Sequence, residues 1–383
     1  MGSYLLSHLH ALGGGVVGTV LPFLIVLSVV VFIHEFGHFI VARLCGVRVL
    51  VFSIGFGPEL AGFNDRYGTR WKVSAIPLGG YVKFFGDENA ASVPETQQLE
   101  AMNAGERAQS FFFQSVWKRA AIVVAGPMAN FILAIVIFTA MFMIYGKQSM
   151  SARVDQVQAD SAAAAAGFES GDLVVAINGK SVADFADMQQ IVSENAGQSL
   201  DIKVDRNGNQ LVLKATPRLT EEKDILGNVR RLGVLGIKRS VAPEDAKFQP
   251  VSPPQALWMG VQETWEVVDQ TLSYIGGVFA GNKSANQLSG PIGIARIVGQ
   301  AATISLAFVI RIVGLLSVSI GLLNLFPIPL LDGGHLLFYA IEAMRGRPLS
   351  ERAQEVGFRI GLAIVVMLMI FATFNDIVHL TTS

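Results

Sequence analysis

Apolar residues run nearly unbroken through four stretches of the chain, residues 18–42, 120–145, 304–325 and 358–377. Each is near the roughly 20 residues that a helix needs to cross a bilayer. Between the first two, the pattern changes to short strand-like runs at 48–54, 71–76 and 80–85. Gly55, Gly57, Pro58, Pro77, Gly79 and Gly80 punctuate them. This predicts a small hairpin or sheet beside the membrane. Residues 88–105 are polar and poor in aromatics, which predicts a loop. The aromatic run 111–117 enters the second apolar stretch through Lys118 and Arg119, as interfacial anchors do.

Between the second and third stretches the pattern is that of a soluble α+β domain over 151–239. A strand is expected at 154–157, a short helix at 161–166 ending on Gly167, and a buried strand at 173–177 before the turn Asn178-Gly179. Residues 184–195 read as an amphipathic helix. Strands at 200–205 and 210–215 flank Asn207-Gly208, a dipeptide that favours a tight hairpin. Residues 253–279 alternate at helical spacing. Leu257, Val261, Thr264, Val268, Leu272 and Ile275 lie on one side, and Glu263, Glu266, Asp269 and Gln270 on the other. With Trp258 and Trp265, this suits either a helix at the membrane surface or one packed on the outer domain.

The segments expected are therefore an arm and first span (1–47), a β-region and loop (48–117), a second span (118–146) and the domain at 151–239. An interfacial helix and linker (253–300), a third span with its ending motif (301–335), a connection (336–357) and a fourth span (358–378) complete the chain. The fold class is a polytopic α-helical membrane protein with four transmembrane helices, a small β-region and one α+β domain.

Composition agrees with this. The chain is 51% hydrophobic and 15% charged, against about a quarter charged in soluble domains. The net charge of −1 argues against nucleic acid, whose phosphates need clustered Lys and Arg. With Cys45 the single cysteine, neither a disulfide framework nor a thiolate metal site can be built within one chain. Residues 1–42 contain no Lys or Arg, and the apolar run continues through His34 and His38, so the first stretch reads as a span and not a cleaved signal. Basic residues gather in 43–119 and 345–359. The positive-inside rule then puts both of those connections in the cytoplasm, with both termini and the 151–239 domain outside.

The chemistry centres on His34-Glu35-Phe36-Gly37-His38. On a helix the two imidazoles lie one turn apart on one face and can converge on one ion. Glu35 stands beside them as a base that need not be a ligand. Zinc suits nitrogen and carboxylate donors around an open position. Ionisable groups within a span are costly, by about 2.5 kcal/mol or more for a charge at its centre, so three such groups within five positions point to function. A catalytic zinc takes three protein ligands. Asp332, in Asn324-Leu-Phe-Pro-Ile-Pro-Leu-Leu-Asp332-Gly-Gly-His335, stands where Pro327 and Pro329 must interrupt the third span. Broken backbone at membrane depth is tolerated where it is buried or lines a watery cavity. Spans one and three run the same way, so Asp332 and the histidines approach the same side; His335 is the alternative ligand. Two other readings are a polar cluster that only packs helices and a metal or proton path. The latter usually brings inverted repeats of broken helices, which this sequence lacks.

Residues 165–179, Ala-Ala-Gly-Phe-Glu-Ser-Gly-Asp-Leu-Val-Val-Ala-Ile-Asn-Gly, resemble the PDZ-domain signature. Together with H-E-x-x-H in the first span and N-x-x-P-x-P-x-x-D-G after the third, the chain resembles the site-2 protease family of intramembrane zinc metalloproteases. The order of parts is similar to the bacterial regulator-of-sigma-E group. The resemblance implies His34, His38 and Asp332 as zinc ligands and Glu35 as general base. It implies contacts to substrate or oxyanion from Asn324, and from Asn130 in Gly126-Pro127-Met128-Ala129-Asn130. It implies a multi-pass protein of a bacterial inner membrane, with the PDZ-like domain in the periplasm. Substrates would be single-span membrane proteins trimmed beforehand by another protease, such as anti-sigma factors or remnant signal peptides. The domain would then act as a size filter or as a peptide binder. The chain departs from that group in having room for one PDZ domain where two in tandem are common. Its β-region also matches more loosely. A strand edge within 72–85, including Val73, Gly80 and Tyr81, is expected to take substrate by β-addition. A catalytically silent PDZ scaffold is the alternative; it predicts no stoichiometric zinc and leaves Glu35 without a role.

Overall fold

The computed structural model describes residues 16–87, 101–182, 184–223, 229–238, 246–281 and 289–382. The N-terminal arm 1–15 and most of the expected loop, 88–100, lie outside the described residues. Helix α1 (Val16–Leu44) occupies the first apolar stretch. Its buried positions Val26, Val30, His34, His38 and Ala42 recur at every fourth residue, while Ile25, Val29 and Ile40 are exposed. One narrow stripe therefore packs inward, and the histidines belong to it.

Strands β1 (Val49–Asn64) and β2 (Arg70–Phe84) follow. They replace the three short runs expected, because the prolines and glycines between those runs are absorbed as irregularities of register and do not end the strands. The register doubles back. Residues 51–54 partner 80–83 on one side and 70–73 on the other, and 59–64 partner 70–74. The segment 70–73 is thus flanked on both sides. The segment 80–84 is flanked on one, and among the described residues no further strand covers its other edge. Phe52, 1% exposed, fixes this sheet to α1. It stacks on Trp71 at 4.3 Å and meets Phe32 and Phe39 of α1 edge-on. Such aromatic pairs add about 0.5–1.5 kcal/mol each beyond burial.

A short capped helix, α2 (Ala104–Gln109), leads to α3 (Val116–Tyr145), which covers the second apolar stretch. Its buried stripe, Ile122, Gly126, Asn130, Ala134 and Phe138, also repeats at every fourth residue.

Residues 141–256 with 273–284 form a separate compact unit. It contains β3 (Lys147–Met150), β4 (Gln156–Val157), α4 (Ala162–Ala166), β5 (Leu173–Ile177), β6 (Lys180–Ser181) and α5 (Phe185–Glu194), then β7 (Leu200–Arg206), β8 (Asn209–Ala215), β9 (Arg218–Lys223), β10 (Val229–Val234), β11 (Ile237–Lys238) and β12 (Ala246–Gln249). The order of the main sheet is β6-β5-β7-β8. The elements expected over 154–215 stand where the pattern put them. Asn207 and Gly208 both take positive φ, 52° and 89°, as the tight hairpin turn requires. The hairpin β9–β10 and the pairing of β3 with β12 were not expected. The latter joins strands on either side of 151–239, so the unit is wider than that segment. Val154, Ile177, Leu200, Ile202 and Val204 are its fully buried centre. Burial opposes the charge on Asp172. The Arg206 guanidinium, paired to both carboxylate oxygens at 2.7 and 2.8 Å, and the Glu169 N–H nonetheless hold its carboxyl below the usual range.

Helix α6 (Pro253–Phe279) has the extent expected, but the inward face shares only Thr264 and Val268 with the expected one. Ala256, Gly260, Thr264 and Val268 are buried, while Leu257, Val261 and Leu272 are exposed with both tryptophans. Gly260 lets α6 approach the Thr139 turn of α3, and such small residues are what close helix packing in membranes uses. The expected linker before the third span is a helix, α7 (Pro291–Ile304), packed on α1 where Gly299 meets Thr19. Ser305 then caps α8 (Leu306–Asn324), so the third span begins after Ile304. The expected connection after Asp332 is also helical, α9 (Asp332–Arg345), closed by Gly346 in the left-handed conformation. The last helix is α10 (Glu351–Thr382). Its Asp376 carboxylate accepts the Gly290 and Gly293 N–H groups, both at 2.9 Å, and so caps α7. Among the described residues, α1, α3, α8 and α10 are the four helices long and apolar enough to cross a membrane.

Candidate metal centre

Two close helix contacts build the site. A Cβ on Gly37 would overlap the Ala125 carbonyl of α3, and a Cβ on Gly126 would overlap the His38 ring. With glycine at both positions, α1 and α3 approach until their stripes interlock. The His38 Nδ1–H then donates to the Ile122 carbonyl at 2.9 Å. A carbonyl can only accept, so Nδ1 carries a proton, and in the neutral ring the Nε2 lone pair faces inward. His34 lies one turn earlier, with its Nδ1 3.3 Å from the Asn130 amide.

Asp332 arrives by a broken helix. Pro327 and Pro329 cannot continue α8, and Leu330, at φ 110°, turns the chain. Gly333 and Gly334 accept the loop against their Cα atoms, where a side chain would overlap the Leu325, Phe326 and Ile328 carbonyls. Asp332 occupies the first turn of α9, where the helix dipole favours an anion. Further along α9, Glu342 pairs with Arg119 of α3, whose guanidinium also lies over the Tyr339 ring at 4.8 Å.

Three donor atoms meet as a result. His34 Nε2 and His38 Nε2 are 3.3 Å apart, and Asp332 Oδ2 is 3.1 Å from the first and 3.5 Å from the second. Oδ2 is buried and, among the described residues, has no hydrogen-bond partner besides these two imidazoles. Tetrahedral zinc with bonds of about 2.0–2.1 Å sets its ligands about 3.3–3.4 Å apart, and the three separations bracket that value. A lone pair aimed at a buried carboxylate oxygen is repulsive unless a cation lies between them. The donor set therefore fits zinc. Among the described residues these three side chains are the only group of that kind.

The other expected residues fall into two sets. Glu35 is outside the donor group, and Gly80 lies on it. A Cβ on Gly80 would come within 2.9 Å of Glu35 Cγ and Val31 Cγ1, so the open edge 80–84 reaches the base. Tyr81 is on that edge, stacked on Phe56 at 6.0 Å. Val73 is not. Its backbone is paired on both sides, with Ile54 and Ala61, so it offers no free edge. Asn324 ends α8 half-buried. Asn130 is 0% exposed and stands behind His34. His335 lies one turn beyond Asp332, outside the donor group, with its ring against Phe358 and Tyr339.

Spans, broken helix and donor triad define a membrane-embedded zinc metalloprotease. The chain belongs to peptidase family M50, the site-2 protease family, whose model matches residues 22–368. It is 50% identical to a provisionally named zinc metalloprotease of Agrobacterium fabrum, over 97% of this chain and 99% of that protein. A provisionally named zinc metalloprotease of Rhizobium meliloti is 47% identical over 94% of this chain and 96% of its own. The metalloprotease MmpA of Caulobacter vibrioides is 42% identical over 92% of this chain and 94% of its own.

Proposed function

We propose that the chain hydrolyses peptide bonds within or beside the transmembrane segments of single-span membrane proteins, with His34, His38 and Asp332 as the zinc ligands. The convergence of these donor atoms at 3.1–3.5 Å, two of them on the long apolar helix α1 and the third on α9 just past the break in α8, carries the reading. Zinc held there supplies Lewis acidity toward the scissile carbonyl. Glu35 takes a proton from the attacking water and passes it to the leaving amine. Asn324, where α8 breaks, is placed in this reading as a donor to the developing oxyanion.

A transmembrane helix hides its peptide bonds in its own hydrogen bonds, so it must be drawn out before cleavage. We infer that the edge 80–84, with Gly80 and Tyr81, takes the extended segment by β-addition, since it ends against Glu35. Proline at any position of 81–82 whose N–H points away from β1 is tolerated on an edge and removes a donor to substrate. Each is expected to slow cleavage of a helical substrate by about fivefold, from about 1 kcal/mol per lost bond. Undiminished cleavage at every position would remove β-addition from the mechanism.

The distribution of Lys and Arg favours a bacterial inner-membrane orientation with 43–119 and 345–359 in the cytoplasm and the 151–239 domain in the periplasm. In regulated intramembrane proteolysis that PDZ-like domain would exclude substrates not yet trimmed. The decisive measurement pairs zinc content of the purified chain with cleavage of a single-span model substrate. Wild type is expected to hold zinc stoichiometrically and to cut. His34→Ala is expected to do neither, and zinc retained by His34→Ala at the wild-type level would refute the site. A chain lacking 151–239 should cut untrimmed substrates; if it still spares them, the filter role is wrong.

A further inference from the structure

His38 has a clear reason to present Nε2 to the metal, because the Ile122 carbonyl holds its Nδ1–H. His34 needs the same arrangement. Its Nε2 points at the same place, 3.1 Å from Asp332 Oδ2 and 3.3 Å from His38 Nε2. A neutral imidazole can ligate through Nε2 only when Nδ1 carries the proton. The group at His34 Nδ1 is the side-chain amide of Asn130, with its Nδ2 end at 3.3 Å, so an acceptor there requires the amide turned by half a turn.

We propose that Asn130 is a positioning residue for the metal centre, its Oδ1 accepting the Nδ1–H of His34 and so fixing Nε2 as the ligating nitrogen. The inference rests on His34 being a zinc ligand. Four observations support it. First, Asn130 is fully buried. Second, Oδ1 makes no hydrogen bond among the described residues, so the acceptor is uncommitted. Third, the residue is held from behind. Ser317 Oγ of α8 donates to the Asn130 carbonyl at 2.8 Å, and Gly321 packs so closely that a Cβ there would be 3.2 Å from Asn130 Cβ. Rotation of the amide about its own axis is the freedom left, and the two ends of a side-chain amide are interchangeable by half a turn. Fourth, Ile122 and Asn130 lie on one stripe of α3, two turns apart. One helix thereby supplies the orienting acceptor for each histidine of the other.

Supporting acceptors of this kind typically contribute 10–100-fold in metal affinity. The test is zinc affinity of the purified full chain by chelator competition, with unfolding followed in parallel. Asn130→Leu keeps the volume and removes the acceptor, and zinc is expected to bind about 10–100-fold more weakly. Asn130→Asp keeps an acceptor at His34 Nδ1 but has no N–H to donate, and zinc is expected to bind at least as tightly as in wild type. A purely structural Asn130 would leave affinity unchanged in a folded Asn130→Leu chain, and that result would overturn the proposal. An Asn130→Asp chain that loses zinc as wild type does not would overturn it as well, because the amide N–H would then be the working end. The Asn130→Asp result decides the matter alone if Asn130→Leu fails to fold. His34→Ala separates the two levels of inference. If it binds zinc like wild type, the ligand assignment has failed; if zinc depends on His34 but not on the Asn130 acceptor, only this inference has.

Discussion

Glu35→Gln is expected to leave zinc at full occupancy and to lower peptide-bond hydrolysis by about 10²–10⁴-fold, the range that a positioned general base contributes. The two halves of that outcome have separate causes. Glu35 follows His34 on α1, about 100° further round the helix, and is not among the donor atoms that converge on Asp332. Glutamine keeps its length and shape, so the packing against Gly80 survives. It has no carboxylate to take the proton of the attacking water, and only that step fails. Metal analysis and a cleavage assay on one preparation check it. Hydrolysis within twofold of wild type would remove Glu35 from the mechanism. Loss of zinc in step with activity would make Glu35 part of the donor set.

Gly126→Ala is expected to abolish cleavage with hardly any change in hydrophobicity. The added methyl group would fall on the imidazole of His38, at the nitrogen that faces the metal. Relief needs either rotation of His38 away from the Ile122 carbonyl or separation of α1 from α3. Either move takes Nε2 out of the group. The zinc affinity lost should be no smaller than the 10–100-fold typical for a lost supporting contact. Ala at Gly105, on the short helix α2 where a Cβ meets only the tip of Asn103, should change neither zinc binding nor cleavage. Normal zinc affinity in Gly126→Ala would mean that the two helices are further apart than the structure has them.

Much of the candidate site is legible along the chain, because two of its three donor residues are neighbours on one turn of helix and the third stands beside two prolines. His34 and His38 share a face by spacing alone. Asp332 can be located because Pro327 and Pro329 must break a span at a defined point. The short helices are less legible. Helix α7 packs by Val298 and by four small residues, Ala295, Gly299, Ala301 and Ala302. Helix α9 begins at Asp-Gly-Gly and runs through residues that the pattern divides between the end of the third span and a connection. The β-region misleads for another reason. Glycines and prolines that normally end strands become bulges within β1 and β2, and a bulge costs little when the flanking residues pair.

The sequence by itself determined the four apolar spans, the grouping of His34 and His38 with Asp332 and the elements of the α+β domain, since each depends on local pattern or on a helix break at a defined point. The tertiary structure decided which of the remaining groups serve the site. Val73 and Gly80 both looked like edge residues, yet register buries the backbone of the first between two segments and sets the second on Glu35. Asn130, expected as a contact for substrate, is packed by α8 along its backbone and has its amide 3.3 Å from His34 Nδ1. Those outcomes depend on pairings between residues far apart in the chain, and only close packing of helices and sheet selects one pairing from many.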